Sequence, residues 1–273
     1  MSKQGNTSSI ETIIVTALKI PWVKVDRNAF LTEILSGSVN NDKLVLALEE
    51  GPVKAGISVQ VLDKLAKGHI EKRTLQSAGI SFAAGIPGGL AMAATIPADT
   101  LQFFGVVLKL AQELAYLFGY EDMLADEAVN TDKIKSELII FLGVMFGVGG
   151  ASSALRIVSS KLAQEALTKT IFYPIVKKIA AAVGIKITQK SFAQGLSKVI
   201  PIIGGVISGG MTYASMKPMG NRLRKEFLEV AHHYSDRDFT NDIANIKREI
   251  IHIELEANEE QANDIHDNGK NNK

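Results

Sequence analysis

Three long stretches without a charged side chain constrain this chain more than any other feature: Thr74–Ala98, Leu138–Leu155 and Val199–Met216. An uncharged run of such length has to be covered by a protein core or by lipid. Each run carries glycines four apart: Gly85 and Gly89, Gly143 and Gly147, Gly205 and Gly209. On a helix that spacing opens one face to the close approach of another backbone, so these six glycines are expected to be helix-packing positions. Pro87, set among Gly85, Gly88 and Gly89, should break the first run into pieces of about a dozen residues, too short to cross ~30 Å of hydrocarbon at ~1.5 Å per residue. The other two runs are at the lower limit for a span and are diluted with Gly, Ser and Thr, while the mean hydropathy is only +0.13. The balance favours buried core over membrane spans, with the first run forming a buried or re-entrant helical hairpin.

Elsewhere helical spacing dominates, and no run alternates in the manner of a strand. Ile57, Val61 and Leu65, with Asp63, Lys64 and Lys67 opposite, predict an amphipathic helix closed by Gly68. Leu223, Phe227, Val230, Ala231 and Tyr234 line one face of a helix opening near Pro218. Phe239, Ile243, Ile246, Ile250 and Ile253 follow a 4-3-4-3 rhythm that would seat a helix on a groove or pair it with a partner helix. The expected architecture is an all-α helical bundle, with Gly-rich apolar hairpins in the core and amphipathic helices at its periphery. A flexible start (1–9), one helical domain (10–235), a C-terminal amphipathic helix (236–256) and a disordered acidic tail (257–273) complete it.

The formal net charge of +1 conceals a segregation along the chain. Between Arg156 and Lys198 eight basic residues face the single acid Glu165, whereas from Glu226 to Lys273 twelve acids face five bases. Two segments of opposite sign predict either mutual docking or an acidic tail that screens a basic face. Within the basic block, Lys177, Lys178, Lys186 and Lys190 stand beside aromatic and aliphatic residues, as on an interfacial helix resting on an anionic membrane surface. A solvated amphipathic core helix has the same pattern. Nucleic acid is not expected as a partner, because the block has one arginine, few stacking aromatics and no recognised motif. The lack of cysteine excludes disulfides and thiolate metal sites and fits a reducing compartment. The start of the chain lacks the continuous apolar region of a signal peptide, so the expectation is a cytoplasmic protein, peripheral at the inner face of the membrane.

The segment AAGIPGGLAMAATIPADTLQFF, Ala83–Phe104, ends in a helix start: Thr95 or Ile96 as cap, Pro97 in the first turn, and Asp99 near the positive end of the dipole. Continued at helical spacing, this helix carries Asp99, Gln102, Val106, Lys109, Glu113 and Tyr116 within about 100° of arc, while Leu101, Phe104, Leu108, Ala111 and Ala115 fill other faces. A solvent-facing stripe with a Lys109–Glu113 pair is the favoured reading, since charged helix faces are usually solvated. Turned inward, the same stripe would need buried partners and would become a candidate catalytic cleft.

SFAAGIPGGLAMAATIPADTLQFF, the following KLAQELAYLFGYEDML and the later KVIPIIGGVISGGMTYASMKPMGNRLRKEF resemble the blocks of the EcsC family. The likeness covers roughly residues 55–230: a Gly-Pro-rich apolar hairpin ending in Pro-x-Asp, an Ala-Tyr-x-x-Gly-Tyr helix end, and a Gly-rich stretch closing on an Arg-rich helix. It implies a bacterial, all-helical protein of poorly defined biochemistry, whose founding relative is encoded beside an ABC transporter. Asp99 and the Gly85–Gly89 turn match the most recognisable positions of that pattern, and the segment after Asp236 falls outside it.

Other constellations carry less. His232 and His233, with Asp236 and Asp238, do not suit a metal, because neighbours on a helix diverge by ~100°. Neither a metal nor a cofactor is expected. GIPGG lacks the Lys-Ser/Thr ending of a phosphate loop, and Ser208 sits in an apolar helical run, as a packing residue would. The residues point to a non-enzymatic protein at the cytoplasmic membrane surface, and the resemblance implies that it assists a transporter or envelope protein. Two other readings stay open: a hydrolase or lipid-handling enzyme using Asp99, Lys109, Glu113 and Tyr116, and a membrane-inserting effector using the Gly-rich runs.

Overall fold

The computed structural model describes residues 10–77, 98–123, 132–160, 173–187 and 210–252. Among them every regular element is helical, and the one strand-like feature is an isolated bridge between Ser36 and Val39. The fold is the expected all-α bundle. α1 (Ile10–Leu18) and a 3-10 turn (Pro21–Val23) lead into α2 (Arg27–Leu35), α3 (Asn41–Glu50) and α4 (Val59–Ser77). Then follow α5 (Ala98–Leu117), α6 (Asp132–Phe146), α7 (Ala151–Ser159), α8 (Tyr173–Ile187) and α9 (Gly210–His233). A last helix, α10, covers 236–252. Asp26 and Asn40 open α2 and α3 by accepting from the amides of Ala29 and Lys43, at 2.9 and 3.0 Å, each cap contributing about 1 kcal/mol.

α5 occupies the centre, against α1, α2, α4, α6 and α9. Leu101, Phe104, Leu108, Ala111, Leu114 and Ala115 are all buried, as the side chains of a helix apolar on nearly every side should be. α9 lies along α4 and turns Met216, Met219, Leu223 and Phe227 inward. The Phe227 ring closes an aromatic cluster with Phe118, Tyr120 and Phe141, centroids 5.3 to 5.7 Å apart.

The second uncharged run, Leu138–Leu155, is not one helix but two, α6 and α7 folded back on each other. Gly147 ends α6 at φ +67°, with its amide on Val144 O at 3.0 Å and the Val148 amide on Gly143 O at 2.8 Å. This left-handed cap corrects its expected role as a packing glycine: the spacing of four is the same, but Gly147 terminates the helix. Gly143 does serve packing. A β-carbon there would overlap the Ile179 side chain of α8 and stand 3.0 Å from that of Ala151. No helix among the described residues is long and apolar enough to cross a membrane. Gly85, Gly89, Gly205 and Gly209 lie outside the described residues, as do 1–9 and 257–273.

Two helix boundaries differ from the spacing argument. α4 runs through Gly68 to Ser77 and buries Leu62, Ala66, His69, Ile70 and Thr74 rather than a face centred on Val61 and Leu65. A mid-helix glycine costs about 1 kcal/mol, which packing along α9 and α5 outweighs. Pro218 lies inside α9, whose start is eight residues earlier, held by buried Met216 and Met219 on either side of the proline. α10 follows its rhythm: Ile246 is buried, and Phe239, Ile243 and Ile250 pack partly buried on the chain's own body.

Candidate functional site

The polar face of α5 points inward, which corrects the solvent-facing reading. The helix is enclosed on several sides, so its polar groups meet those of neighbouring helices instead of water. Glu113 is 1 % exposed and faces α4, where His69 and Arg73 stand one turn apart. His69 Nε2 lies 2.8 Å from Glu113 Oε2, Arg73 Nε donates to the same oxygen at 2.9 Å, and Arg73 Nη2 donates to Oε1. The Phe30 ring of α2 meets the imidazole edge-on at 5.1 Å and 65°.

The expected Lys109–Glu113 pair is replaced. Lys109 Nζ reaches the carbonyl of Trp22 at 2.8 Å. Burial lowers the pKa of this lysine, partly offset by the negative charge of Glu113. Gln112, one residue off the stripe, donates to Val23 O and Leu108 O at 3.1 and 3.0 Å and leaves its own Oε1 unmatched among the described residues. Tyr116 is fully buried and donates to Asp122 Oδ1 at 3.1 Å, its pKa raised by burial and then by the Asp122 charge. Asp99 is the second residue of α5, and its side chain lies outside the described set. The stripe thus contains real neighbours, but each described member is bound into a structural contact. Three residues that the periodicity did not single out complete this region: His69, Arg73 and Arg27. The Arg27 guanidinium, 8 % exposed, donates to Leu48 O at 2.7 Å and Tyr120 O at 3.1 Å, placing a cation between the C-terminal end of α3 and the turn that follows α5.

The second assembly is the basic block. α8 buries Ile175, Ile179 and Val183 and leaves Lys177 exposed. These apolar side chains belong to the core, as in the amphipathic core helix that shares the interfacial pattern, and among the described residues α8 places no apolar stripe at the surface. Lys178 pairs with Glu249 of α10. Arg156, on α7, is the hub: Nε and Nη2 donate to the two Asp242 oxygens at 2.9 and 2.7 Å, and Nη1 donates to Glu226 and, at 3.2 Å, to Glu229. Tyr234 also donates to Asp242, at 2.7 Å. Burial acts to raise the Asp242 carboxyl, but hydrogen bonds from Arg156, Ser153 and Tyr234 and the Arg156 charge outweigh it and hold it below the usual range. Glu229 is displaced upward, by burial and then by Glu226. Lys186 is on the last turn of α8 without a described side chain, and Lys190 lies outside the described residues.

Between α4, α7, α9 and α10 runs a groove of about 740 Å³, bordered by Asp63, Arg156, Glu229, His232, Tyr234 and Asp242. Among the described residues no group of three or more His, Asp or Glu side chains is placed to hold a metal ion. Of the two arrangements that the charge segregation allowed, docking of the opposite segments is found in Arg156–Asp242 and Lys178–Glu249, and the tail 257–273 lies outside the described residues. Compared with protein-family models, with curated proteins and with solved structures, the chain finds no match.

Proposed function

We propose that this chain is a non-enzymatic bacterial protein that works at the inner surface of the cytoplasmic membrane, held there by its basic block, and assists a transporter or another envelope protein. The observation that carries the reading is α8: with Ile175, Ile179 and Val183 committed to the core, the helix turns Lys177 outward from a segment rich in lysine. Such a face attracts anionic lipid electrostatically and reversibly, at about 1 kcal/mol per lysine near the surface. The link to a transporter rests on the sequence resemblance alone. Replacing Lys177, Lys178, Lys186 and Lys190 together by glutamine should release the protein from anionic vesicles, and unchanged binding would overturn the reading.

The competing enzyme reading needs a carboxylate available to a substrate. Glu113 has both oxygens engaged by the Arg73 guanidinium, which counts against it as a general base. The membrane-inserting reading concerns the Gly-rich runs 78–97 and 199–209, outside the described residues. Dye release from liposomes tests it directly.

A further inference from the structure

We infer that α10 is a built-in acidic competitor for the anionic surface, a clasp that lifts before Arg156 and Lys178 meet a phosphate headgroup; this rests on the membrane-surface reading above. Asp242, Ile246 and Glu249 fall at i, i+4 and i+7, so two carboxylates flank a buried apolar peg on one face of α10. The carboxylates take the two cations that α7 and α8 direct to this side: Asp242 grips Arg156 through two bonds, and Glu249 takes Lys178. A guanidinium binds a carboxylate and a phosphate with the same paired N–H geometry, so Asp242 occupies the Nε–Nη2 edge of Arg156 as a headgroup would, while Nη1 stays with Glu226 and Glu229 of α9.

The helix is built to move as a unit. Residues 234–235 are the whole joint to α9. Ser235 and Asp238 form a reciprocal cap: the Ser235 amide donates to Asp238 Oδ2 at 3.0 Å and the Asp238 amide to Ser235 Oγ at 3.3 Å. α10 therefore carries its own N-terminal cap wherever it goes. The groove of about 740 Å³ along Asp63, Glu229 and Tyr234 leaves one flank of the docked helix wet. Tethered by so short a joint, the clasp acts at an effective concentration on the order of millimolar, and only a dense anionic surface displaces it.

The chain has no cysteine, so a single disulfide can lock the clasp. A β-carbon at Gly150 would stand 3.6 Å from that of Glu249, within disulfide range. In Gly150→Cys/Glu249→Cys the strain of a side chain at φ +79° is common to the oxidised and reduced forms, so their comparison isolates the lock. On phosphatidylcholine vesicles with about a third phosphatidylserine, the oxidised form should bind at least about fivefold more weakly than the reduced form, the factor carried by one lysine at such a surface. If that variant does not fold, Glu249→Gln should bind about fivefold more tightly than the charge-matched surface variant Glu50→Gln. Equal binding within either pair overturns the clasp and leaves the surface reading standing. Absence of binding by every form, wild type included, overturns the surface reading and the clasp with it.

Discussion

Where α4 crosses α5, Glu113 is 1 % exposed and holds both His69 and Arg73; where α10 crosses α7 and α8, Arg156 is 18 % exposed and Glu249 34 %. Both places join helices through opposite charges, and both centre on a residue with several partners. They differ in their access to water. Inside, the carboxylate has no solvent to fall back on, so its partners are part of the fold. At the clasp both charges of the Lys178–Glu249 pair keep some water, and one anion can replace another there at modest cost, whereas Asp242, 4 % exposed, holds Arg156 as a buried carboxylate. Burial, more than charge count, separates a structural network from an exchangeable one.

The sharpest way to break this contrast is to remove Glu113. Glu113→Ala removes the buried acceptor of three hydrogen bonds, to His69 and to Arg73, the latter 26 % exposed, and should cost about 3–5 kcal/mol, measured as a lowered midpoint in chemical denaturation. A loss under about 1 kcal/mol would mean that the inner cluster behaves as a surface pair. Asp242→Asn comes next. Losing a charged acceptor of Arg156 should cost about 1.5–3 kcal/mol, chiefly as undocking of α10, read as faster amide exchange confined to 236–252. Uniform acceleration across α5 would show that α10 belongs to the core.

Acid separates the two regions in a stated direction. The Asp242 carboxyl lies below its ordinary value, so its contribution is fully present above about pH 3.9 and is lost as pH falls through the lower folded value. Glu229 and Glu137 are displaced upward, each by burial first, so their ionised forms cost stability that acidification from neutral pH relieves. Between about pH 7 and pH 5 the clasp should therefore stay closed and overall stability hold or rise. Spin labels on α7 and α10 report the separation, and opening in that window would contradict the assignment.

The all-helical class and the seat of α10 were legible because helical spacing states which residues share a face. Spacing does not state what lies opposite. The set Lys109, Glu113 and Tyr116 was thus readable on α5, while its inward direction was not. The missing signal was on α4, where His69 and Arg73 are four apart beside Leu62, Ala66 and Ile70, a pattern of polar ring and guanidinium on an apolar face. Gly147 was misread for a related reason: glycines four apart look alike whether they pack or terminate a helix. The close succession Gly147, Gly149 and Gly150 was the sign of a turn. Arg27 carried no periodic signal, since its partners are backbone carbonyls far along the chain.

The smallest effect is also the finest test of the comparison. Lys178 and Glu249 are 20 % and 34 % exposed, so screening by water should limit their coupling to about 0.2–1 kcal/mol in a double-mutant cycle of Lys178→Gln and Glu249→Gln. At about 1 M salt, where screening acts within ~3 Å, that coupling should vanish. The same cycle on Arg73→Gln and Glu113→Gln should keep most of its coupling in the same salt, because ions do not reach a carboxylate sealed between two helices. If both couplings fell together, water would reach both sites alike, and the distinction between the fixed cluster and the exchangeable clasp would fail.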